Sequence, residues 1–453
     1  MPTGMMAETT GPGWRRWWPE ALVAVLALAV FFGCLGSVEL WGKREQRASA
    51  EAIDTVDHHH WLVAEIQGRP RLEKPPLPRW TIAALMVLTG RRDEWIVRLP
   101  GAVCGWITVA LVYALGRRMG GRSLGLAAAM VLCSLGFFVA EMRQAGNDGP
   151  LAMFTTLALC AAWHLLDGWG SGPRLAHTRA WHLLLYAALG LGFLTKGPII
   201  LMLVAVTIIP YLALSGRLAW GLRRLADGWG LLLLVAMAVS WPAAVLREDL
   251  QALRVWWMEV SEKTGVLQVL PHRHHGLLVE HWPSMMLPWT VIAVIALVMP
   301  FRPGGLESEE EASPHGRRVD RSSPLWFAWW WAIGNLVVFS FWAIAKANYY
   351  VPCLPGMAML IGAAWVRLAR HGRGAGRGAG IARSILQAQW VMIFVAAAVT
   401  PLVARQWWPP AVGPGLWAAA AALALASVLS AHAWRRGADA LSLAPVTAAA
   451  VLS

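Results

Sequence analysis

Charge is what this chain has least of. Asp, Glu, Lys and Arg make up 14% of its 453 residues and apolar side chains 57%, against about 25% and about 45–50% in an ordinary soluble protein. With a mean hydropathy of +0.50, no water-soluble domain of normal size could hide that surface, so lipid must solvate most of it. Cysteine is scarce too. Cys34, Cys104, Cys133, Cys160 and Cys353 all lie inside apolar stretches with no metal-type spacing, which excludes a disulfide framework and leaves them as small packing residues. Carboxylates are outnumbered, 26 Asp and Glu against 39 Lys and Arg, for a net charge of +13. That excess does not point to nucleic acid, because no basic stripe interleaves with exposed aromatics. It fits the Arg and Lys that collect in cytoplasmic loops. Disorder and collagen-like classes fall with the same numbers, and an all-α, polytopic integral membrane protein remains.

What is there in abundance is apolar runs long enough to span. The first extends over 21–40, behind Arg15, Arg16 and three tryptophans at 14, 17 and 18. It is longer than a signal-peptide core and lacks a small-residue cleavage site, so it reads as an uncleaved first helix with a cytoplasmic N-terminus. Further runs fall near 97–115, 122–141, 149–167, 180–194, 198–214, 227–246, 285–301, 324–345, 351–368, 387–404 and 411–431. They predict a bundle of about 11–13 transmembrane helices, since helices satisfy their own backbone groups in lipid. The stretch 440–453 is short for a span and reads as a partial last helix.

Threaded alternately from a cytoplasmic start, the loops sort by charge. One face receives Arg15-Arg16, Arg117-Arg118, Arg122, Arg174, Arg179, Arg223-Arg224, Arg317-Arg318, the Gly/Arg-rich 369–383 stretch and Arg435-Arg436. The segment 302–323 is a mixed-charge cytoplasmic linker. The opposite face has a long loop, 41–96, and a second, 247–284. With the tight turns they hold Glu45, Arg47, Glu51, Asp54, Asp57, Glu73, Lys74, Arg98, Arg143, Asp148, Lys196, His272, His274, His275, Lys346, Tyr349 and Tyr350. That set is mixed in sign, so positive-inside bias does not account for it. Ionisable groups gathered at the outer ends of spans mark a site or a pathway, and the chemistry is expected on the extracytoplasmic side.

Over 70–80 the chain reads Pro-Arg-Leu-Glu-Lys-Pro-Pro-Leu-Pro-Arg-Trp. This resembles the Phe-Glu-Lys-Pro-Pro signature of the aminoarabinose transferase and protein mannosyltransferase superfamily, the ArnT-like and PMT-like GT-C membrane glycosyltransferases. The likeness continues through Trp95-Ile96-Val97-Arg98-Leu99-Pro100, Arg143 to Asp148 and Gly192-Phe193-Leu194-Thr195-Lys196-Gly197-Pro198. Pro288-Trp289 and Lys346-Ala347-Asn348-Tyr349-Tyr350-Val351-Pro352 complete it. It covers most of the chain and implies one GT-C-like domain over 1–431, followed by a cytoplasmic turn and partial helix at 432–453. It also implies juxtamembrane helices in the first outer loop and a cavity for a lipid phosphate beneath them.

The resemblance implies roles. Glu73 helps to bind a divalent metal, zinc or magnesium, and Lys74 contacts the lipid phosphate. Pro75-Pro76 fixes the extended backbone that aims both. His272, His274 or His275 supplies a second metal ligand, with the His58-His59-His60 group beside Asp54 and Asp57 as a rival cluster. Glu45-Gln46-Arg47 aligns with the family's Asp-Glu-x-Arg, but Arg44 stands where the family has a candidate catalytic base. Either Glu45 takes the base role, or the acceptor arrives already ionised, or the chain is not a transferase. Asp148 is a second catalytic candidate, with the alternative of capping its helix and with Arg143 as expected partner. Arg47, Arg98, Arg143, Lys196, Lys346 and Tyr349 complete the expected substrate-binding set.

The implied activity is transfer, with inversion, of a sugar from a polyprenyl-phosphate donor to an extracytoplasmic glycolipid, protein or cell-wall glycan. No organic cofactor and no nucleic acid are expected, and Ala/Gly/Arg-rich usage suits the cytoplasmic membrane of a bacterium. The alternatives are a degenerate homologue that binds lipid-linked sugar without transferring it, and a transporter. A transporter would show ionisable residues at mid-membrane or paired broken helices in two halves, and neither is visible.

Overall fold

The computed structural model describes residues 14–40, 42–167, 175–264, 277–302, 320–342, 344, 346–404, 413–437, 441–443 and 445. The chain begins with α1 (Trp14–Phe32), α2 (Gly42–Asp57), a two-stranded hairpin of β1 (Glu65–Ile66) and β2 (Arg69–Pro70), and α3 (Leu77–Thr89). Then come α4 (Glu94–Ser134), α5 (Gly136–Met142), α6 (Asp148–Leu166), α7 (Leu175–Lys196), α8 (Ile199–Leu214), α9 (Leu218–Leu225), α10 (Gly228–Glu248) and α11 (Gln251–Thr264). The later elements are α12 (Leu277–Met285), α13 (Thr290–Val298), α14 (Pro324–Trp329), α15 (Asn335–Ser340), α16 (Leu354–His371), α17 (Arg377–Ala404) and α18 (Gly413–Arg435).

Among the described residues, Glu94–Ser134, Asp148–Leu166, Gly228–Glu248, Ala347–His371 and Arg377–Val395 are long and apolar enough to cross a membrane. A sixth such unit is the α12–α13 pair, bent by 117°. Several other apolar runs are built as shorter or interrupted helices. Trp17–Phe32 and Ile199–Leu214 are short, and a π-helical turn over Trp330–Gly334 separates α14 from α15. The 41 residues of α4 break at Gly120 and Gly121, where φ is +80° at Gly121. The break divides α4 into two helices, which answer to the two runs expected near 97–115 and 122–141, the second continuing past Ser134 into α5.

The 41–96 loop carries two helices, α2 and α3. Pro76 caps α3 at φ −89° and ψ −12°, a helical conformation where an extended one was expected. Pro78 fits the first turn because an amide there would have no intrahelical acceptor, and Gly90 ends the helix at φ +67°. Between them lies the hairpin, whose turn residues Gln67 and Gly68 have φ of +54° and +70°. Positive φ at both positions is the geometry of a two-residue type I′ turn.

The core is tryptophan-rich. Trp289, Trp331 and Trp365 are fully buried, and burying an indole calls for a partner on its N–H. Trp289 donates to Ser134 Oγ at 3.0 Å, and Trp331 donates to the Pro352 carbonyl at 2.8 Å. The second bond ties the core to the turn that carries Lys346, Asn348 and Tyr349. At Gly101 a Cβ would lie 2.7 Å from the Met142 carbonyl and 2.8 Å from that of Gln144. This close approach of α4 sets the height of the 142–148 segment and hence of Asp148.

Candidate active site

Within the 41–96 loop region, α2 and the α5–α6 turn meet α11 over a cavity of about 850 Å³. From α2 it is lined by Lys43, Arg44, Arg47, Ala48 and Glu51. Their spacing puts them on one face of a helix. The other face buries Glu45, Ser49, Ala52 and Thr55. Arg71, Glu73 and Lys74 enter from the hairpin and the segment after it, and Asn147 and Asp148 from the start of α6. Lys196 comes from the end of α7, Glu259 and Glu262 from α11, and Lys346, Asn348 and Tyr349 from the turn before α16.

Asp148 is buried and fully engaged. Lys196 Nζ lies 2.5 Å from Oδ1, and Asn348 Nδ2 donates to Oδ2 at 2.5 Å. Arg44 Nη1 is 3.3 Å from the same oxygen. Arg44 also grips Glu141 at 2.8 and 3.1 Å and Gln144 at 3.0 Å. Lys196 in turn sits 4.3 Å from the Tyr349 ring centroid, a cation–π contact. Three other sequence segments thus converge on one carboxylate.

The Glu73-Lys74 pair is held from behind. Leu72 is buried with Leu194, Trp241, Val245 and Ala252, and Trp256 Nε1 donates to the Leu72 carbonyl at 2.7 Å. Lys74 pairs with Glu259 of α11. Arg71 reaches Glu73 Oε1 at 2.7 Å and Glu51 at 3.4 Å. Glu73 Oε2 is buried without a hydrogen-bond partner. Burial pushes the Glu51 carboxyl above its usual pKa, against the pull of Arg71, Arg79 and Arg47.

Of the expected site residues, the structure brings Arg47, Glu73, Lys74, Asp148, Lys196, Lys346 and Tyr349 to the cavity wall. Three others do not reach it. Glu45 is 1% exposed and points away from the cavity, accepting from Arg98 Nε and Nη2 at 2.9 and 3.0 Å and from the Ala145 amide at 3.0 Å. Arg98 spends its remaining donors on the carbonyls of Leu35, Val38 and Glu39. Arg143 bonds the carbonyls of Val30 and Gly33, so it braces the end of α1 and is not the partner of Asp148. The structure thus places Glu45, Arg98 and Arg143, expected as catalytic and substrate-binding residues, in contacts behind the cavity wall, where a buried charge needs partners of its own. His272, His274 and His275 lie outside the described residues. The rival His58-His59-His60 group is not among the residues lining this cavity.

Sequence reading missed Arg71, Glu141, Asn348 and Glu259 as members of the network. Glu51 had a usable signal, since it follows Arg44 by seven residues and Arg47 by four on the same helical face. Glu259 had none, because its partner lies 185 residues away.

Residues 73–243 match the family described as dolichyl-phosphate-mannose-protein mannosyltransferase. The undecaprenyl phosphate-alpha-4-amino-4-deoxy-L-arabinose arabinosyl transferase of Pseudomonas aeruginosa PAO1 is 28% identical over 74% of this chain and 57% of its own length. That of Pseudomonas aeruginosa UCBPP-PA14 is 28% identical over 79% of this chain and 61% of its own length. The chain therefore spans about three fifths of these curated relatives. ArnT from Cupriavidus metallidurans, bound to undecaprenyl phosphate, superposes with a TM-score of 0.74 at 22% identity. That likeness covers 96% of this chain and 76% of the other, and it establishes a shared fold.

Proposed function

We propose, from the premise that the chain belongs to the GT-C membrane glycosyltransferases of the ArnT-like type, that it transfers a sugar from a polyprenyl-phosphate donor to an acceptor outside the cytoplasmic membrane. The observation that carries this reading is the charge of the cavity. Seven basic side chains, Lys43, Arg44, Arg47, Arg71, Lys74, Lys196 and Lys346, share its wall with five carboxylates. A pocket with a basic excess at the junction of surface helices and an apolar bundle suits a phosphate whose tail lies in lipid.

In the step we infer, an acceptor oxygen attacks the anomeric carbon from the face opposite the phosphate. The carbon–oxygen bond to phosphate breaks, its electron pair stays on polyprenyl phosphate, and the anomeric configuration inverts. A phosphodiester becomes a phosphomonoester, so negative charge builds on the leaving group. Lys74 meets that charge by exchanging Glu259 for phosphate, and preorganised cations of this kind act mainly in the transition state. Lys196, held by Asp148 and Tyr349, and Arg47 add to the same field. With Glu45 turned away and Asp148 engaged by three neighbours, Glu51 is the cavity carboxylate placed to accept the proton of an acceptor hydroxyl. Burial keeps it more basic than an exposed glutamate.

The residues also suit a divalent cation. Glu73 offers one buried oxygen that nothing else occupies, and a bound cation would neutralise charge on the leaving phosphate. Glu73→Gln should lower transfer by about 10²-fold. Full activity in a chelator-treated, metal-free preparation would remove the cation from the reaction.

The deciding experiment offers radiolabelled undecaprenyl-phosphate sugars to the chain in nanodiscs, with a membrane extract as acceptor. Label should appear in a new product. A pH profile should rise through the Glu51 pKa in the wild type, because a base acts deprotonated, and should lose that acidic limb in Glu51→Gln if the acceptor is a hydroxyl. Arg44 in place of the family's Asp favours a second reading, a binding homologue without transfer. Lipid-phosphate binding with no transfer from any donor would decide for it.

A further inference from the structure

Outside the cavity, at the end of α2, three side chains converge in a way the transfer reading does not use. Asp54 sits in the last turn of α2, and His58 follows it by one helical turn. Asp54 Oδ1 lies 2.9 Å from His58 Nδ1 and Oδ2 lies 3.0 Å from His60 Nδ1. His59 between them has φ of +58°, a left-handed bend that a non-glycine residue seldom adopts. That bend turns the chain so that His60 faces back onto the helix end. The two rings stand 5.6 Å apart, tilted by 30°, and one ligand atom from each residue fits within a 4.8 Å span.

We propose that Asp54, His58 and His60 form a binding site for a divalent cation of the zinc class. Two imidazole nitrogens and one carboxylate oxygen match zinc's preferred donors, and water would take the fourth position. A tetrahedral ion with ligands at about 2.0–2.2 Å sets ligand atoms roughly 3.3–3.6 Å apart. The carboxylate–imidazole contacts would open by a few tenths of an ångström, and the ligand atoms, which lie within 4.8 Å of one another, would draw together by up to about 1.5 Å where they are farthest apart. Each histidine coordinates as the neutral ring, so the proton now shared with Asp54 moves from Nδ1 to Nε2 and stays on the side chain.

The neighbouring charges leave Asp54 to this role. Asp57 is taken by Arg92 at 2.5 and 2.8 Å. Arg79 spends its guanidinium on the carbonyls of His60, Trp61 and Leu62. The Glu65 amide donates to Asp54 Oδ2 at 2.7 Å, an outer-shell bond that orients the carboxylate. The same bond ties the site to β1. A bound ion would therefore staple the end of α2 to the hairpin that leads into Arg71, Glu73 and Lys74. It is separate from the cation proposed at Glu73, and it stands whether or not the chain transfers a sugar.

The test uses the full chain in nanodiscs, stripped with chelator, re-equilibrated with zinc and washed. Metal content is measured by mass spectrometry and thermal unfolding is followed with and without zinc. The wild type should hold about one zinc more per chain than the His58→Asn/His60→Asn double variant, and Glu73→Gln about one more than the His58→Asn/His60→Asn/Glu73→Gln triple variant. Zinc should raise the unfolding temperature of Glu73→Gln and leave that of the triple variant unchanged. Asp54→Asn, which keeps the Glu65 contact, guards against misfolding and should weaken zinc binding while leaving the apo unfolding temperature near wild type. Equal zinc content in the wild type and a folded double variant would overturn the proposal.

Discussion

Lys74→Ala should lower transfer from a polyprenyl-phosphate sugar by about 10²–10³-fold while leaving the fold intact. The separation of those two effects follows from where the lysine stands. Its side chain is 34% exposed and its partner Glu259 22%, and ion pairs in that setting add little to stability. The backbone around it is held by other means, the buried Leu72 and the Trp256 bond to the Leu72 carbonyl. Removing the ammonium therefore leaves the motif in place but strips charge from the point where the leaving phosphate accumulates it. Lys74→Arg should recover part of the rate, because charge returns without the same reach. Glu259→Gln should act in the opposite direction on donor binding, since Lys74 no longer has to release a carboxylate before it meets phosphate. The measurement is initial rate against donor concentration, with undecaprenyl-phosphate binding measured separately. Transfer within threefold of wild type in Lys74→Ala would take the phosphate away from this lysine.

The parts of this molecule that could be read from sequence are those governed by local pattern. Apolar runs became helices because lipid and core both require the backbone to bond within itself. Gly197, at φ +76°, marked the turn after Lys196. The motifs around Glu73-Lys74, Asp148, Lys196 and Tyr349 do meet at one cavity. The hairpin at Glu65–Pro70 was legible in principle from Gln67-Gly68, but two-residue strands leave almost no alternation to detect. What local pattern could not supply was direction. Arg44 and Glu45 are adjacent, yet successive residues on a helix point about 100° apart, so one reaches the cavity and the other the core. A buried clamp and a substrate-binding arginine use the same side chains, and only the partners distinguish Arg98 and Arg143 from Arg47. Glu259 lay beyond reach for a simpler reason: the two loops pack in space, and nothing in either announces the other.

Glu45 provides the sharpest contrast between those two uses of charge, and it carries the second large expected effect. Glu45→Ala or Arg98→Ala should each destabilise the protein by about 3–5 kcal/mol, because each leaves an uncompensated charge in the interior. The pair is almost dry, with side chains 9% and 2% exposed, and its two parallel contacts at 2.9 and 3.0 Å have the fork geometry of the strongest ion pairs. It joins the end of α1, the start of α2, α4 and the Ala145 amide ahead of α6, so its loss should loosen the whole wall that presents Arg44 and Asp148. The double variant should cost less than the two single changes added together, since removing both partners leaves no orphan. Unfolding measured in detergent for the four members of the cycle would show this as a coupling energy. A base in direct contact with an acceptor behaves otherwise: its removal stops transfer and leaves stability near wild type. If Glu45→Gln gave that pattern, with an unchanged unfolding midpoint and no product, the carboxylate would return to the chemistry and Glu51 would lose its place there.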